Sequence, residues 1–281
     1  MNVRISDARL EALIAEDVPY IDLTSEVLGI TAEHGFIEYF TREECVLCGT
    51  EEVSRMIERL GAEVLWSLPS GSRLAAGDAF LRAEGPAGAL HMAWKACLNL
   101  LDHCSAVATK TRRMVDAAKG ANPRCEVLTT RKSMPGAKDL LTKAVAVGGA
   151  FPHRLGLSET VLVFDHHMAF MGGFDAFVDR LPEVRGRCIE KKLFVEADAE
   201  QALVLARAGV DGIQLDKLAP DALADAVRSI REIDPRLTLV AAGGINPENA
   251  AAYAATGVDG LATTAPFSAK PLDMSVRMGM C

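Results

Sequence analysis

The sequence is poor in aromatic residues and has no long apolar run. Phe, Trp and Tyr make up 5% of its 281 residues, although 49% of the residues are hydrophobic. Because Ala, Val and Leu must then build the core, we expect layered α/β packing and not a β-sandwich. The longest apolar runs fall short of a transmembrane helix, and the charged N-terminal segment lacks the apolar stretch of a signal peptide. We therefore expect a cytoplasmic protein without membrane insertion.

An excess of positive charge is also missing, as is a paired metal-ligand motif. Lys and Arg number 30 against 38 Asp and Glu, which gives a formal net charge of -8. The long-range field of such a protein repels nucleic acids and anionic membranes, so we expect neither as a partner. The seven cysteines are scattered, and Cys45 and Cys48 form a C-x2-C pair without the second pair that a zinc site needs. A small anionic substrate would therefore need a local basic pocket.

The stretch 129–157 offers such a pocket. Two basic pairs, Arg131-Lys132 and His153-Arg154, flank a segment whose apolar spacing predicts one helix. The first pair follows directly on a strand-like apolar run. Cations grouped in this way indicate an anion site, in which Arg offers a bidentate fork and Lys a point charge. Within the helix, Lys138 and Lys143 are predicted to face solvent.

Strand-like apolar runs recur in the second part of the chain and alternate with helical patterns. They lie at Cys125–Leu128, Val161–Phe164, Leu193–Val195, Gly212–Leu215, Leu237–Ala241 and Gly260–Ala262. Strands separated by helices pair in parallel, so about six or seven such units predict an α/β barrel smaller than the eightfold one, with a doubly wound sheet as the alternative. The first part of the chain predicts a smaller α+β domain. There, residues 16–26 read as a loop, and a long helix over Ala87–Ala118 is predicted to break near His103–Ala106.

In either fold, ligands bind at the carboxyl ends of the strands, and polar or glycine residues end most of the predicted strands. These residues are Arg131, Lys132, Asp165, Glu196, Asp216, Gly243, Gly244, Thr263 and Thr264. Two of them, Glu196 and Asp216, lie on neighbouring strands. They could hold Mg²⁺, which prefers carboxylates together with substrate phosphates and water, or could steady a positive charge on a sugar. Capping of the next helix is the alternative for Asp216.

A phosphate site is predicted after the strand that ends in Gly243-Gly244. Asn246 is a good N-cap for a helix over Pro247–Ala255, and the N–H groups at a helix N-terminus attract anions. The last two loops of such a barrel are a recurring phosphate site, so the hydroxyl groups of Thr263-Thr264 are predicted to take part. A tight turn followed by a well-capped helix is the structural alternative.

Several motifs together resemble the quinolinate phosphoribosyltransferase family, also called nicotinate-nucleotide pyrophosphorylases. The block TTRKSMPGAKDLLTKAVAVGGAFPHRLGLSE is similar to that family's DTRKT-PG-R…GG…HR-GL-D block, and EDVPYIDLT, CLNLLDHCSAVATKT, FVEAD, IQLDKL and VAAGGI stand around it in the family's order. The resemblance covers nearly the whole chain. It implies a type II phosphoribosyltransferase: an N-terminal α/β sandwich domain over residues 1–104, an open α/β barrel of parallel strands over 105–268, and a tail, 269–281, that returns to the N-terminal domain.

The resemblance also implies the activity and the partners. A heteroaromatic acid such as quinolinate would be joined to phosphoribosyl pyrophosphate with release of pyrophosphate, and Mg²⁺ would be the cofactor. A homodimer with shared active sites is implied, and a hexamer stays open. Carried over residue by residue, the match assigns Arg131, Lys132, His153 and Arg154 to the aromatic acid or the diphosphate. Lys95 stands where the family has an arginine that reaches in from the partner subunit.

The remaining assignments concern the sugar and its phosphate. Glu196 and Asp216 match the carboxylates near the ribose and Mg²⁺, and with Lys132 they form the catalytic set that the resemblance implies. Gly243 and Gly244 match the loop that binds the 5′-phosphate.

Departures from the family pattern point to its ModD branch, which is encoded among molybdate-transport genes. Phe164 stands where the family has a lysine, Thr264 where it has a glycine and Ser268 where it has a histidine. Because a buried unpaired carboxylate is costly, the lost lysine argues against quinolinate itself as the substrate. Three alternatives stay open: a non-catalytic ligand-binding or regulatory protein of molybdate uptake, a barrel aldolase with a Schiff base on Lys132, and a purely structural oligomer.

Overall fold

A computed structural model describes residues 3–281, which form two compact units. The first unit comprises the described residues up to Arg112 together with Ser133–Gly149 and Pro266–Cys281. The second unit comprises Arg113–Lys132 and Ala150–Ala265. The domain boundaries expected from the sequence stay a prediction, and the compact units differ from them chiefly in assigning the segment 133–149 to the first unit.

Helices and strands follow one another along the whole of residues 3–281. The helices are α1 (Asp7–Asp17), α2 (Leu23–Leu28), α3 (Thr50–Leu60), α4 (Ala87–Ala121), α5 (Lys138–Val147), α6 (Asp165–Ala169), α7 (Phe174–Asp179), α8 (Leu181–Arg187), α9 (Ala199–Ala208), α10 (Pro220–Ile233) and α11 (Ala250–Ala254). The strands are β1 (His34–Thr41), β2 (Cys45–Val46), β3 (Glu63–Ser67), β4 (Arg73–Leu74), β5 (Ala79–Pro86), β6 (Glu126–Thr129), β7 (Phe151–Pro152), β8 (Val161–Val163), β9 (Leu193–Ala197), β10 (Gly212–Asp216), β11 (Thr238–Ala242), β12 (Gly260–Thr263) and β13 (Met274–Met280). No helix within this range is long and apolar enough to cross a membrane.

The first unit is built on an antiparallel sheet with the strand order β13-β1-β5-β3. Strand β1 alternates buried and more exposed residues, and Ile37, Tyr39 and Thr41 are fully buried on one face. Helix α3 buries Val53, Met56 and Ile57, whose helical spacing gives it one apolar side. The alternation of two residues in the strand and the spacing of three or four in the helix are the patterns from which both elements are predicted.

Strand β13 joins this sheet by pairing with β1, so that Met274 lies opposite Thr41 and Met280 opposite Gly35. Helix α4 fixes the start of β13. The Asp102 carboxylate accepts a hydrogen bond from the Met274 N–H at 3.1 Å, and the Asp102 carbonyl accepts one from the Leu272 N–H at 3.2 Å.

Replacing Asp102 by asparagine is expected to stabilise the protein at neutral pH. Burial raises the pKa of Asp102 to about 6, although the hydrogen bond from Met274 opposes this rise. Because the folded state then binds the proton more tightly than the unfolded state, the free energy of unfolding falls as pH rises from about 4 to about 6. Asp102→Asn keeps the acceptor oxygen and removes the charge, so we expect a gain of about 1 kcal/mol at neutral pH, after a discount for solvent screening.

Urea unfolding of both proteins across this pH range measures the effect, and Asp179→Asn, at an exposed position of α7, serves as the control. An equal pH dependence in wild type and Asp102→Asn would contradict the expectation.

The second unit is built on a seven-stranded sheet of parallel strands in the order β7-β6-β12-β11-β10-β9-β8. The chain order runs round this sheet, with the first strand, β6, beside the last, β12. Strands β7 and β8 are the two edges. This is the cyclic order of a barrel that is open between β7 and β8, and the doubly wound alternative is wrong because its strand order would reverse within the sheet. The prediction of an open α/β barrel is confirmed.

The interior of the open barrel is filled by side chains from alternate positions of the strands. The buried members of this cluster are Leu162, Phe194, Val240, Ala242 and Ala262, and Leu128 and Phe164 pack against it. Such packing fills the barrel below its carboxyl end, so the interior is a packed core and not a channel.

Two helices differ from the prediction in the first unit. The segment 16–26, predicted as a loop, contains the start of α2, because the Asp22 side chain accepts hydrogen bonds from the N–H groups of Thr24 and Ser25. Helix α4 continues through residues 103–106 without the predicted break. Its polar side chains are satisfied without one, since the Thr109 hydroxyl donates to the Ser105 carbonyl at 2.7 Å.

The predicted exposure of Lys143 is also wrong. Its side chain is only 11% exposed, and its ammonium group lies 2.8 Å from a Glu51 carboxylate oxygen. It also contacts the Glu52 carboxylate, and the Glu52 side chain is 4% exposed. Lys138 is exposed as predicted. The apolar spacing predicts the helix that contains Lys143. It does not predict the burial of Lys143, because the carboxylates that allow this burial come from α3, far away in the sequence.

Candidate active site

A cavity of about 660 Å³ opens at the carboxyl ends of the barrel strands. Its lining includes ten of the residues proposed from the sequence for the site: Arg131, Lys132, His153, Arg154, Glu196, Asp216, Gly243, Gly244, Thr263 and Thr264. Lys95 and Asp165 are not part of it; Asp165 begins α6 and is exposed. The fold thus collects in one place side chains that come from six different strand ends. The role of each residue stays a prediction.

Two adjacent parallel strands bring the basic pairs together. Thr129 at the end of β6 lies opposite Pro152 at the end of β7, and the His153 N–H donates to the Thr129 carbonyl at 2.8 Å. Arg131 and Lys132 therefore leave the sheet beside His153 and Arg154. One wall of the cavity is cationic for this reason.

Arg154 is the buried member of this wall. It is 9% exposed, and its guanidinium carbon lies 5.8 Å from the centre of the Phe164 ring. Burial lowers the pKa of Arg154, and the charge of Arg131 lowers it further. Within residues 3–281, Arg154 forms no ion pair with a carboxylate. A buried, unpaired guanidinium is unfavourable unless an anion compensates it, so this position is well suited to an acidic ligand.

The imidazole of His153 contributes no positive charge at neutral pH. Burial lowers the pKa of His153, and the neighbouring Arg154 lowers it further. Its ring meets the Phe194 ring edge to face, with the two ring centres 6.5 Å apart. His153 can therefore donate or accept a hydrogen bond in the cavity, but it does not act as a cation.

The opposite wall is acidic. Glu196 on β9 lies opposite Gln214 on β10, and the Gln214 amide donates to the Glu196 carboxylate at 2.5 Å. Burial raises the pKa of Glu196; the Gln214 hydrogen bond opposes this rise, and the charge of Asp216 adds to it. Asp216 ends β10 and pairs with Lys217, whose ammonium group lies 3.0 Å away. Helix α10 begins after Ala219 without a side-chain cap, so the capping alternative for Asp216 is wrong.

The glycine pair after β11 forms a close approach between two loops. Gly243 and Gly244 have φ angles of 95° and 69°, which favour glycine. A Cβ atom at Gly243 would lie 2.7 Å from the backbone nitrogen of Lys217. Lys217 itself has a φ of 58°, and its N–H donates to the Ala242 carbonyl at 2.8 Å. The glycine thus permits the β10 and β11 loops to meet at the edge of the cavity.

The predicted helix after this loop is shorter than expected. Helix α11 begins at Ala250 and not at Pro247, and a turn over residues 247–249 precedes it. The Asn246 side chain accepts hydrogen bonds from the N–H groups of Glu248 and Asn249, which is the pattern expected of an N-cap residue. Because the helix itself begins only at Ala250, support for phosphate binding by its N-terminus is lost. The glycine loop and the threonines remain as the candidate phosphate site.

The two threonines differ in what their hydroxyl groups already bind. Thr263 donates to the Ile245 carbonyl at 2.6 Å and accepts from the Ala265 N–H at 3.0 Å, so it fixes the loop. Thr264 shares a hydrogen bond of 2.9 Å with Thr130 from β6. Thr264 has the more adaptable hydroxyl and is the better candidate for contacting a ligand.

Lys95 is not part of the cavity lining. It lies exposed on α4 in the first unit, with its ammonium group 4.9 Å from the centre of the Trp94 ring. The proposed reach of Lys95 into another subunit stays a prediction.

The carboxylates of the acidic wall are chemically suited to bind Mg²⁺. Glu196 and Asp216 supply two carboxylates on adjacent strands of the barrel. No group of three or more His, Cys, Asp or Glu side chains in residues 3–281 is placed to hold a metal ion. Two carboxylates suit Mg²⁺, which takes its other ligands from substrate phosphates and water.

Three polar or charged lining residues, Gln214, Lys217 and Thr130, are not among the residues predicted from the sequence. Gln214 has a visible signal: it interrupts an apolar strand two positions before Asp216 and therefore shares its face. Lys217 and Thr130 have weaker signals, since only their adjacency to other candidates marks them. The hydrogen bond from Gln214 shows that the Glu196 carboxylate is oriented by its neighbouring strand.

Known proteins resemble this chain over almost its whole length. The family model for the quinolinate phosphoribosyl transferase C-terminal domain matches residues 107–277, and that for the N-terminal domain matches residues 22–105. The protein of Rhodobacter capsulatus named "Putative pyrophosphorylase ModD" is 42% identical over 248 residues, which cover 88% of this chain and 95% of the relative. The carboxylating nicotinate-nucleotide pyrophosphorylase of Mycobacterium leprae is 35% identical over 275 residues, which cover 94% and 93% of the two chains.

Solved structures agree with these matches. The crystal structure of NadC from Streptococcus pyogenes superimposes with a TM-score of 0.88 at 26% identity and covers 99% of each chain. The type II phosphoribosyltransferase fold predicted from the sequence, with its N-terminal α/β sandwich domain and its open barrel, is confirmed. With both family models matched and relatives more than 30% identical along most of its length, the chain belongs to the quinolinate phosphoribosyltransferase family.

Proposed function

We propose that the chain joins a heteroaromatic acid, such as quinolinate or an analogue, to phosphoribosyl pyrophosphate and releases pyrophosphate. The observation that carries the proposal is the buried guanidinium of Arg154, which has no carboxylate partner in residues 3–281 and lies in a cavity whose opposite wall is acidic. An anionic acceptor compensates the guanidinium, and the carboxylates of Glu196 and Asp216 suit the electron-poor sugar. The anionic acceptor and the electron-poor sugar would then each be paired with protein groups of opposite charge.

In this mechanism the protein acts mainly by electrostatics and positioning. The exposed Arg131 and Lys132 neutralise the pyrophosphate as it leaves, and the buried Arg154 holds the acid in line for attack. Glu196 and Asp216 stabilise the ribosyl centre as positive charge develops there. Bound to these carboxylates, Mg²⁺ would supply further neutralisation of the diphosphate.

The binding of the sugar phosphate is assigned to the loops that follow β11 and β12. The loop containing Gly243 and Gly244 has no side chain to hinder a phosphate, and Thr264 offers a hydroxyl group. Thr263 supports this loop through its bond to the Ile245 carbonyl.

The proposal includes a cytoplasmic homodimer with shared active sites. The side chains of Leu23, Val27 and Leu28 on α2 are largely exposed, which supports a subunit interface on the first unit. Lys95 is proposed to reach the partner's cavity. The ModD name of relatives supports a link to molybdate transport or utilisation, which we include in the proposal.

Phe164 favours a second candidate function. It occupies the cavity wall where the family has a lysine, and this loss of a cation fits a protein that binds a ligand without turning it over. The second candidate is therefore a non-catalytic ligand-binding or regulatory protein of molybdate uptake.

Measurement of pyrophosphate release separates the two candidates. We expect release when phosphoribosyl pyrophosphate and Mg²⁺ are supplied with members of a panel of heteroaromatic acids, quinolinate included. Addition of EDTA should abolish release, and excess Mg²⁺ should restore it. Ligand binding by calorimetry without release from any acid would contradict the transferase and support the second candidate.

A further inference from the structure

We infer that the acceptor is a ring-nitrogen acid with a single carboxylate, which is transferred without loss of CO2. The inference rests on the proposed function and names its substrate class. It is carried by the geometry of the cavity, where the guanidinium carbon of the buried Arg154 lies 5.8 Å from the centre of the Phe164 ring, and where apolar side chains of the barrel interior form part of the lining.

The inner end of the cavity suits a flat ring. Leu162, Ala242 and Ala262 are buried members of the barrel interior that also line the cavity, and Phe164 packs against them. These side chains give this part of the cavity lining an apolar surface. An aromatic acid can place its ring on the apolar surface and its carboxylate against the guanidinium fork.

The other cations of the cavity are exposed and are better placed to bind a diphosphate than the carboxylate of the acceptor. Arg131 and Lys132 are exposed, where a strongly hydrated diphosphate can reach them without losing all its water. Lys217 is paired with Asp216, and its side chain is 81% exposed. Arg154 is therefore the one buried cation among the described lining residues.

The two neutral polar groups nearby do not replace a second cation. His153 is uncharged at neutral pH because burial and Arg154 lower its pKa. Gln214 gives its amide N–H to Glu196 at 2.5 Å. Among the described lining residues, this subunit offers no second buried cation to pair with a further carboxylate placed against Phe164, and burying that charge unpaired is unfavourable.

The chemistry of such a transfer is complete without decarboxylation. The lone pair of the ring nitrogen forms the bond to the anomeric carbon of the ribosyl group, and the bond from that carbon to the pyrophosphate oxygen breaks. The electron pair leaves with pyrophosphate. The carboxylate stays on the ring, and no proton is needed to replace it.

The test compares three probes that differ in the number and charge of the ring substituents: pyridine-3-carboxylate, pyridine-2,3-dicarboxylate and pyridine-3-carboxamide. We expect kcat/KM for pyrophosphate release to be about tenfold to a hundredfold higher with the monocarboxylate than with the other two, because each of the others leaves a buried charge unpaired. Calorimetry with pyrophosphate and Mg²⁺ present measures the same order of affinities independently of turnover.

Two variants at position 164 sharpen the comparison. Phe164→Lys supplies the missing cation and should shift the preference toward the dicarboxylate by about tenfold or more. Phe164→Leu keeps the apolar character and should retain the preference for the monocarboxylate. If Phe164→Lys fails to fold, the three probes compared on the wild type and on Phe164→Leu still show whether the monocarboxylate is preferred.

The outcomes separate this inference from the proposed function. Faster release with the dicarboxylate in the wild type, accompanied by CO2, would overturn the inference and leave the transferase proposal standing. Equal use of the carboxamide would overturn it as well, since Arg154 would then select nothing. Tighter binding of the monocarboxylate without release from any probe would support the charge selectivity and overturn the transfer.

Discussion

Replacing Lys132 by alanine is expected to lower pyrophosphate release by about a thousandfold and to leave the fold intact. The Lys132 side chain is exposed in the cavity and forms no ion pair with a carboxylate in residues 3–281. Loss of one preorganised charge that acts on a leaving group removes a contribution of about this size. The main chain of the loop should not move, because the Lys132 N–H donates to the Thr130 hydroxyl at 3.3 Å and this bond does not involve the side chain.

Two further variants make the Lys132 experiment specific. Lys191→Ala removes an exposed lysine outside the cavity and should leave release unchanged. Lys132→Arg keeps the charge but cannot form a Schiff base, so it should retain much of the pyrophosphate release if the role of Lys132 is electrostatic and lose it if Lys132 acts as a nucleophile. Unchanged release by Lys132→Ala, with circular dichroism equal to wild type, would contradict the proposed role.

Replacing Lys143 by alanine is expected to reduce the free energy of unfolding by about 3–5 kcal/mol, because the buried Glu52 carboxylate loses its partner. The hydrogen bond of 2.8 Å to Glu51 is lost as well. Urea unfolding measures the change. Lys138→Ala, on the exposed side of the same helix, is the matched control and should shift the free energy by less than about 0.5 kcal/mol.

A double replacement distinguishes burial of charge from simple loss of packing. Lys143→Met combined with Glu52→Leu leaves no buried unpaired charge, since Glu51, which also loses its partner, is half-exposed. We therefore expect it to be more stable than Lys143→Ala. If the single and the double variant lose the same stability, the ion pair is not the cause.

The same cluster affects the acid limb of the stability curve. Burial alone would raise the pKa of Glu51, but hydrogen bonds from Lys143 and Ser70 outweigh this effect and lower it to about 2 from 4.5. The folded state therefore binds a proton on Glu51 less tightly than the unfolded state. Glu51 stabilises the fold above a pH of about 4.5, and this stabilisation is lost as the pH falls toward about 2. Because Glu51 is half-exposed, solvent reduces this contribution. In Lys143→Ala, stability should fall less steeply over this acid range than in the wild type.

The barrel is largely predictable from the sequence because its strands are short apolar runs bounded by turns and helices. The rule that ligands bind at the carboxyl ends of parallel strands then selects Arg131, Glu196 and Asp216 without a structure. Pairing over a long sequence separation has no such local signal. The burial of Lys143 depends on carboxylates from α3, and the orientation of Glu196 depends on Gln214 from the next strand.

Local hydrogen bonds by side chains explain the remaining differences. Asp22 caps α2 within a segment that looks like a loop, and a turn over residues 247–249 separates the capping side chain of Asn246 from the first residue of α11. Asp and Asn can begin a helix or hold a turn with the same acceptor oxygen, so the residue type alone does not decide between the two.

The opening of the barrel between β7 and β8 leaves two strands with unpaired edges, and such edges are where copies of a protein can join into aggregates. Strand β7 has only two residues, Phe151 and Pro152, and proline has no N–H group to offer a neighbouring strand. Strand β8 has three residues. Neither edge is long enough to act as a template for another strand. The open barrel is therefore protected from edge-to-edge association although the sheet is not closed.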